Sequence, residues 1–281
     1  MNPYDHTYAG IPPVLATPGA AHVLAYLPFT VLYLVPFDVV SDIRLGFMAA
    51  DLLVGTCLYL WGRWRPGAAS VYLFLPFTIV FSTFYLNATL MAMALIALFL
   101  LLESRGRGLL ASISFGLALA SSQFSFLLLP LVFAYYLRHG RWKEPVLALA
   151  AAAVVIAPFL AASPSLFLSE TLSFEFARPL VPLFSGGGPV GLMVNPSMSA
   201  IASLAGLPVP LYLRALIELL LILALLRAGD LSSLARNCGL LVLASVFVLP
   251  DDFFWAYLEL PFMLLLFWVS AQTNPGRPKR S

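Results

Sequence analysis

Residues 138–162 read RHGRWKEPVLALAAAAVVIAPFLAA, and the class of the whole chain follows from them. Arg138, Arg141 and Lys143 come first, and from Pro145 to Ala162 no charged residue follows. Such a run approaches the roughly 20 residues with which a helix crosses a hydrocarbon core of about 30 Å. Lys and Arg collect on the cytoplasmic side of such spans. The pattern of a basic knot beside an apolar run recurs at Arg63/Arg65, Arg105/Arg107, Arg227, Arg236 and Arg277/Lys279/Arg280. These clusters label one face of a polytopic protein.

Composition agrees. Of the 281 residues 61% are hydrophobic and 10% charged, and the mean hydropathy is +0.95. About a quarter of a soluble domain is charged, so much of this surface needs lipid around it. A net charge of +2, with no basic patch interleaved with aromatics, argues against nucleic acid as a partner. Cys57 and Cys238 both sit inside apolar runs and read as small buried hydrophobes, not as metal ligands or a disulfide framework. No Lys or Arg precedes the first apolar stretch, so that stretch is not read as a secretory signal peptide.

The candidate spans are Ile43–Trp61, Ala68–Tyr85, Ala88–Leu102, Leu109–Ser122, Phe124–Leu137, Pro145–Ala162, Leu211–Leu226, Gly239–Leu249 and Phe253–Ser270. The expected class is therefore all-α, a polytopic transmembrane helix bundle of about nine spans. It forms a single integral membrane domain: an external or interfacial segment over 1–42, six spans over 43–162, an external loop over 163–208, three spans over 209–270 and a basic cytoplasmic tail over 271–281. With Arg63/Arg65 inside, every later basic cluster alternates back inside. Asp5, Asp38, Asp42, Glu170, Glu175, Asp251 and Asp252 fall outside, against Glu103, Glu144 and Asp230 inside. The expected location is the plasma or cytoplasmic membrane, with the C-terminus cytoplasmic.

Ala20–Phe37 is apolar but carries Pro28 and Pro36, with Asp38 and Asp42 close behind. An interfacial or half-inserted helix suits it better than a span. The external loop keeps Leu166, Phe167, Phe174, Phe176 and Phe184, which predicts short helices packed on the membrane surface. Gly186-Gly187-Gly188 lacks the context of a phosphate-cradling loop and reads as a hinge.

Ionisable residues at membrane depth are costly, about 2.5–3.5 kcal/mol on insertion scales, so each one calls for an account. Asp51 lies on the same helical face as Arg44. Arg214 and Glu218 are spaced for an ion pair that staples helices. Glu259 reads either as structural or as lining a polar cavity open to the outside. Among external residues, Asp5 and Glu175 are the candidate catalytic carboxylates, with His6 and Arg178 beside them. A carboxylate can act as general base for an acceptor hydroxyl, and an Arg can hold a phosphate through two hydrogen bonds. The plain alternative is that they are hydrophilic loop residues.

The external Asn2-Pro3-Tyr4 segment precedes a Pro-rich interfacial stretch, and Ser41-Asp42-Ile43-Arg44-Leu45-Gly46 opens a span. Gly116–Pro130, with Ser121-Ser122-Gln123-Phe124 at its centre, leads to a basic cytoplasmic turn. Asn195-Pro196-Ser197-Met198-Ser199 follows the long loop. Together these resemble the GT-C superfamily of polytopic glycosyltransferases, family 87 in particular. The resemblance implies a polyprenyl-phosphate-linked sugar as donor and a glycan, lipid or protein acceptor, with membrane lipids around the chain. It implies a mannosyltransferase-like enzyme moving a hexose or pentose on the extracytoplasmic side, with inversion at the anomeric carbon. It adds Arg44, Gln123 and Asn195 to the substrate-binding set. No cofactor is implied with certainty, no metal ligand is identified, and a divalent metal would be compatible. Such families place a catalytic Asp in the first external loop after a leading helix, and often a Lys near Ser121/Ser122. Here the chain opens at that loop and has serines, the pattern of a truncated or divergent branch.

Two other classes fit the chain. A transporter or lipid flippase is expected to show two related halves meeting at mid-membrane, and none is apparent. A non-catalytic, truncated paralogue of the transferase would bind a partner without turnover.

Overall fold

The structure, a computed structural model, describes residues 27–63, 65–75, 89–168, 171, 184–188, 191–194, 197–207, 209–248 and 258–273. The elements are α1 (Pro28–Val40), α2 (Ile43–Trp61), α3 (Gly67–Leu73), α4 (Thr89–Ser104), α5 (Gly108–Leu119), α6 (Phe124–Arg138), α7 (Lys143–Ala162) and α8 (Pro164–Leu168). After them come β1 (Phe184–Gly188), β2 (Gly191–Val194), α9 (Met198–Ser203), α10 (Leu211–Leu225), α11 (Leu231–Val248) and α12 (Glu259–Gln272).

Helix α4, TLMAMALIALFLLLES, is apolar on every side and is buried on every side, as such a helix must be. It forms the axis of the bundle, packed by α2, α5, α11 and α12. Helix α2 buries Phe47, Ala50, Val54, Leu58 and Trp61, one stripe at helical spacing. Its opposite face leaves Leu45, Met48 and Leu52 exposed. Helix α7 buries only Pro145, Ala148 and Ala152. It packs this strip on α5, where a Cβ at Gly116 would collide with the Ala148 carbonyl oxygen and lie 2.7 Å from the Ala151 Cβ. Val146, Leu149, Val154 and Leu160 point away from the protein. An apolar surface of that extent needs an apolar surrounding, and on a helix long enough to cross a membrane lipid supplies it. Among the described helices α2, α7 and α11 are long and apolar enough to cross a membrane, and α1, α4, α5, α6 and α12 are shorter apolar helices.

The basic turns gather at one end of the bundle. Arg65 Nη1 donates to the Thr273 carbonyl at 3.3 Å, tying the end of α2 to the end of α12. Gln272 Nε2 reaches Ser232 Oγ at 3.3 Å, and Asn237 Nδ2 donates to the Leu225 carbonyl at 2.8 Å. The start of α11 and the end of α10 therefore join the same face. Glu103 at the end of α4 pairs with Arg141 in the α6–α7 turn.

Three expectations need correction. The span expected at Ala68–Tyr85 is not continuous, because α3 stops at Leu73 with Phe74 as its cap. Pro76 follows two residues later and disfavours helical backbone at the residue before it. The external segment is not wholly short helices, since β1 and β2 form an antiparallel ribbon with Phe184 opposite Val194 and Ser185 opposite Met193. Gly186–Gly188 lie within β1 and not at a hinge, and the register shifts between Ser185 and Gly188. Glycine in a strand commonly marks such an irregularity.

Candidate functional site

The end of the bundle opposite the basic turns carries the polar residues that chemistry could use. Helix α5 ends at Leu119, and α6 begins at Phe124 with Gln123 as a cap in αR backbone whose side chain makes no capping bond. That amide is turned elsewhere: Gln123 Nε2 donates to the Thr171 carbonyl at 3.0 Å. Thr171 Oγ1 in turn donates to the Phe167 carbonyl at 2.6 Å, so the α5–α6 turn holds the beginning of the external segment.

The same turn holds α1. Phe29 N donates to the Ala120 carbonyl at 3.0 Å, and Thr30 Oγ1 donates to the Ser121 carbonyl at 3.0 Å. The far end of α1 lies beside the start of α2, where Tyr33 Oη donates to the Gly46 carbonyl at 2.9 Å. Gly46 lets the two helices approach closely: a Cβ would come within 2.9 Å of Leu34 Cδ2, which would have to shift. Both ends of α1 thus belong to the non-basic end, a placement that suits an interfacial helix.

Arg44 lies in the first turn of α2. The helix is capped by Asp42, whose Oδ1 accepts from Arg44 N at 2.8 Å. The guanidinium Nε stands 4.0 Å from the same oxygen with its side chain 59% exposed. A contact this open contributes at most about 1 kcal/mol and leaves the cation able to meet an incoming anion. Asp5, His6, Glu175, Arg178 and Asn195 lie outside the described residues. Of the residues expected at the site, the structure therefore places Gln123 and Arg44, both at the non-basic end.

Sequence reasoning missed the hydroxyl-rich floor around this turn. Thr30, Ser121, Ser122, Ser125 and Thr171 are all buried there, and Ser197 and Ser199 are buried at the start of α9, which packs on α11. Ser197 caps α9, accepting from Ala200 N at 3.3 Å. The oxygens of Ser125 and Ser199 are buried without a hydrogen-bond partner. The only signal for this set was the Ser-Ser-Gln triplet, read for the Lys it lacks and not for the hydroxyls it brings.

The acids at membrane depth are arranged differently from expectation. Asp51 does not turn to Arg44; its Oδ1 accepts from Tyr72 Oη at 2.8 Å, tying α2 to α3. Glu259, at the start of α12, is buried and lies within electrostatic range of Tyr72. Glu218 is not ion-paired to Arg214 among the described residues; its Oε1 lies 2.6 Å from Ser245 Oγ on α11. Side-chain direction explains the difference, because Glu218 faces into the α10–α11 contact. No group of three His, Cys, Asp or Glu among the described residues could hold a metal ion.

The basic end is an electrostatic lock. Arg141 meets both Glu103 oxygens, with Nη2 to Oε2 at 3.2 Å, and its Nε donates to Glu144 Oε1 at 2.8 Å. Tyr136 Oη donates to Glu103 Oε2 at 3.0 Å, and the Arg141 guanidinium lies 4.9 Å from the Tyr136 ring centroid. Burial alone would lower the Arg141 pKa, but its hydrogen bonds to Glu103 and Glu144 and their charges hold it above its ordinary value. The lock closes over Gly108, where a Cβ would collide with the guanidinium.

No family model and no curated protein matches the chain. Solved structures do. The crystal structure of ArnT from Cupriavidus metallidurans in the apo state superposes with a TM-score of 0.58 at 16% identity. ArnT from the same organism bound to undecaprenyl phosphate superposes with a TM-score of 0.59 at 14% identity. Each match covers 92% of this chain and 51% of ArnT, so the chain spans about half the length of the protein it matches. The fold and the lipid-facing surface define a helical integral membrane protein of the polytopic architecture seen in ArnT.

Proposed function

We propose that this chain is a membrane glycosyltransferase that takes a sugar from a polyprenyl-phosphate donor and transfers it on the extracytoplasmic side. The observation that carries the reading is the fold shared with ArnT, a GT-C glycosyltransferase with a structure bound to undecaprenyl phosphate. In support, the non-basic end carries Gln123 on the α5–α6 turn with buried hydroxyls beside it, and Arg44 in the first turn of α2. The basic face is then cytoplasmic, as is the C-terminus.

The reaction is a single displacement with inversion. Asp5 or Glu175 takes the proton of the acceptor hydroxyl. The acceptor oxygen attacks the anomeric carbon, and the polyprenyl phosphate departs with the electron pair of the broken C–O bond. Arg178 or Arg44 neutralises the departing phosphate, an electrostatic role worth most where water is scarce. His6, Gln123 and Asn195 position donor and acceptor. The sugar is a hexose or pentose, and the acceptor a glycan, a lipid or a protein.

The test is sugar transfer from a polyprenyl-phosphate donor by the purified chain in bilayers. Asp5→Asn or Glu175→Gln should lower kcat by at least about 10²-fold, the usual contribution of a positioned base. Arg44→Gln should raise the donor KM about tenfold, as expected for one charge-assisted contact to phosphate. Transfer at the wild-type rate by both carboxylate variants would remove those residues from the mechanism.

A further inference from the structure

Glu218 sits midway along α10 and is 6% exposed. Its Oε1 lies 2.6 Å from Ser245 Oγ, and the same Ser245 Oγ lies 2.7 Å from the Leu241 carbonyl oxygen one turn back on α11. A hydroxyl has one proton to donate, and a carbonyl oxygen can only accept. If Glu218 were ionised, both neighbours of Ser245 would be acceptors competing for a single hydrogen. The two short contacts are satisfied together only when Ser245 donates to Leu241 and the glutamic acid donates to Ser245.

The second carboxyl oxygen points the same way. Glu218 Oε2 is buried and has no hydrogen-bond partner. A buried ionised carboxylate needs its lone pairs met by donors or a cation, and otherwise takes up a proton. An unmet carbonyl oxygen of a neutral acid costs far less. The charged groups on the packed elements do not supply the compensation, since Glu218 takes part in no ion pair among the described residues. Arg214, one turn away on its own helix α10, lies beyond ion-pair distance of it. On α11, Arg236 lies toward the basic end with its guanidinium on Asn237 Oδ1 at 3.1 Å. On α6, Arg138 is the sole charged residue and stands at the helix's basic end.

We infer that Glu218 is a mid-membrane proton-binding site, held as a neutral carboxylic acid that donates to Ser245 across the α10–α11 contact. The inference is independent of sugar transfer. Its consequence is mechanical. Helix α10 leaves Leu216, Leu219, Leu220 and Leu223 exposed and docks through its other face, so its seating on α11 depends on the proton. Loss of the proton would place an uncompensated charge in that contact.

Infrared spectroscopy of the chain in bilayers at neutral pH tests this directly. The difference between wild type and Glu218→Gln should show loss of one protonated-carboxyl C=O band, with the carboxylate bands unchanged. Loss of a carboxylate pair with no change in the carboxyl C=O region would overturn the inference. Ser245→Ala provides the check if the Gln variant does not fold: it removes the acceptor, so the same C=O band should move to higher frequency. An unmoved band would likewise refute the proton site.

Discussion

Arg141 shows how much a single side chain organises. Its guanidinium bridges Glu103 on α4 to Glu144 on α7 while covering Tyr136 on α6, so the α6–α7 turn and three helices meet on one cation. Glu103 is almost wholly buried and the Arg141 side chain is 31% exposed. Arg141→Ala would leave Glu103 buried without its partner, a change that costs about 3–5 kcal/mol for a fully buried pair and less here. We expect a loss of about 2–3 kcal/mol in a denaturation series in detergent. The Glu103→Gln, Arg141→Gln double variant should lose less than the sum of the singles. Strict additivity would mean that the pair does not act as a unit. The basic cluster itself was legible in the sequence, but only as a label of sidedness. Neither Glu103 as its partner nor Ser245 as the partner of Glu218 could be read, because both contacts join helices far apart in sequence. The i,i+4 spacing of Arg214 and Glu218 pointed instead to a local pair that tertiary packing overrides.

At the scale of elements, hydrophobic runs located the helices well. Lys143–Ala162, Leu211–Leu225 and Phe124–Arg138 lie within two residues of the expected spans. Misses occurred where a local rule competes with hydropathy. Pro76 ends α3 early, and α11 starts eight residues before the expected Gly239, carrying Arg236 within its first turns. A long basic side chain near a helix end can reach the interface, which hydropathy alone does not register. Close helix packing was equally hidden. Gly116 brings α5 onto the backbone of α7, and backbone cannot step aside as a side chain can. Gly116→Ala should destabilise by about 1–3 kcal/mol through overpacking. Gly67→Ala, where nothing lies within 4 Å of the added Cβ, should be neutral or stabilising by up to about 1 kcal/mol. Equal melting temperatures for the two variants would contradict the α5–α7 contact.

Across the whole molecule, polarity runs along the bundle. One end is fastened by Arg65, Arg141 and Asn237, and the other gathers α1, the α5–α6 turn and the external segment. The alternation of basic clusters along the sequence already carries this polarity, and hydrogen bonds join the same turns in space. What could not be read is that Gln123, chosen for other reasons, ties the Thr171 carbonyl of the external segment to the α5–α6 turn. The enzymatic account requires positions 5 and 175 to share one aqueous compartment opposite the arginine-rich face. Single cysteines at 5, 107 and 175, probed with a membrane-impermeant maleimide on intact cells, measure this directly. The native Cys57 and Cys238 are buried and stay silent. The account predicts labelling at 5 and 175 from outside and at 107 only after the membrane is opened; labelling of 5 and 175 from different sides would contradict it.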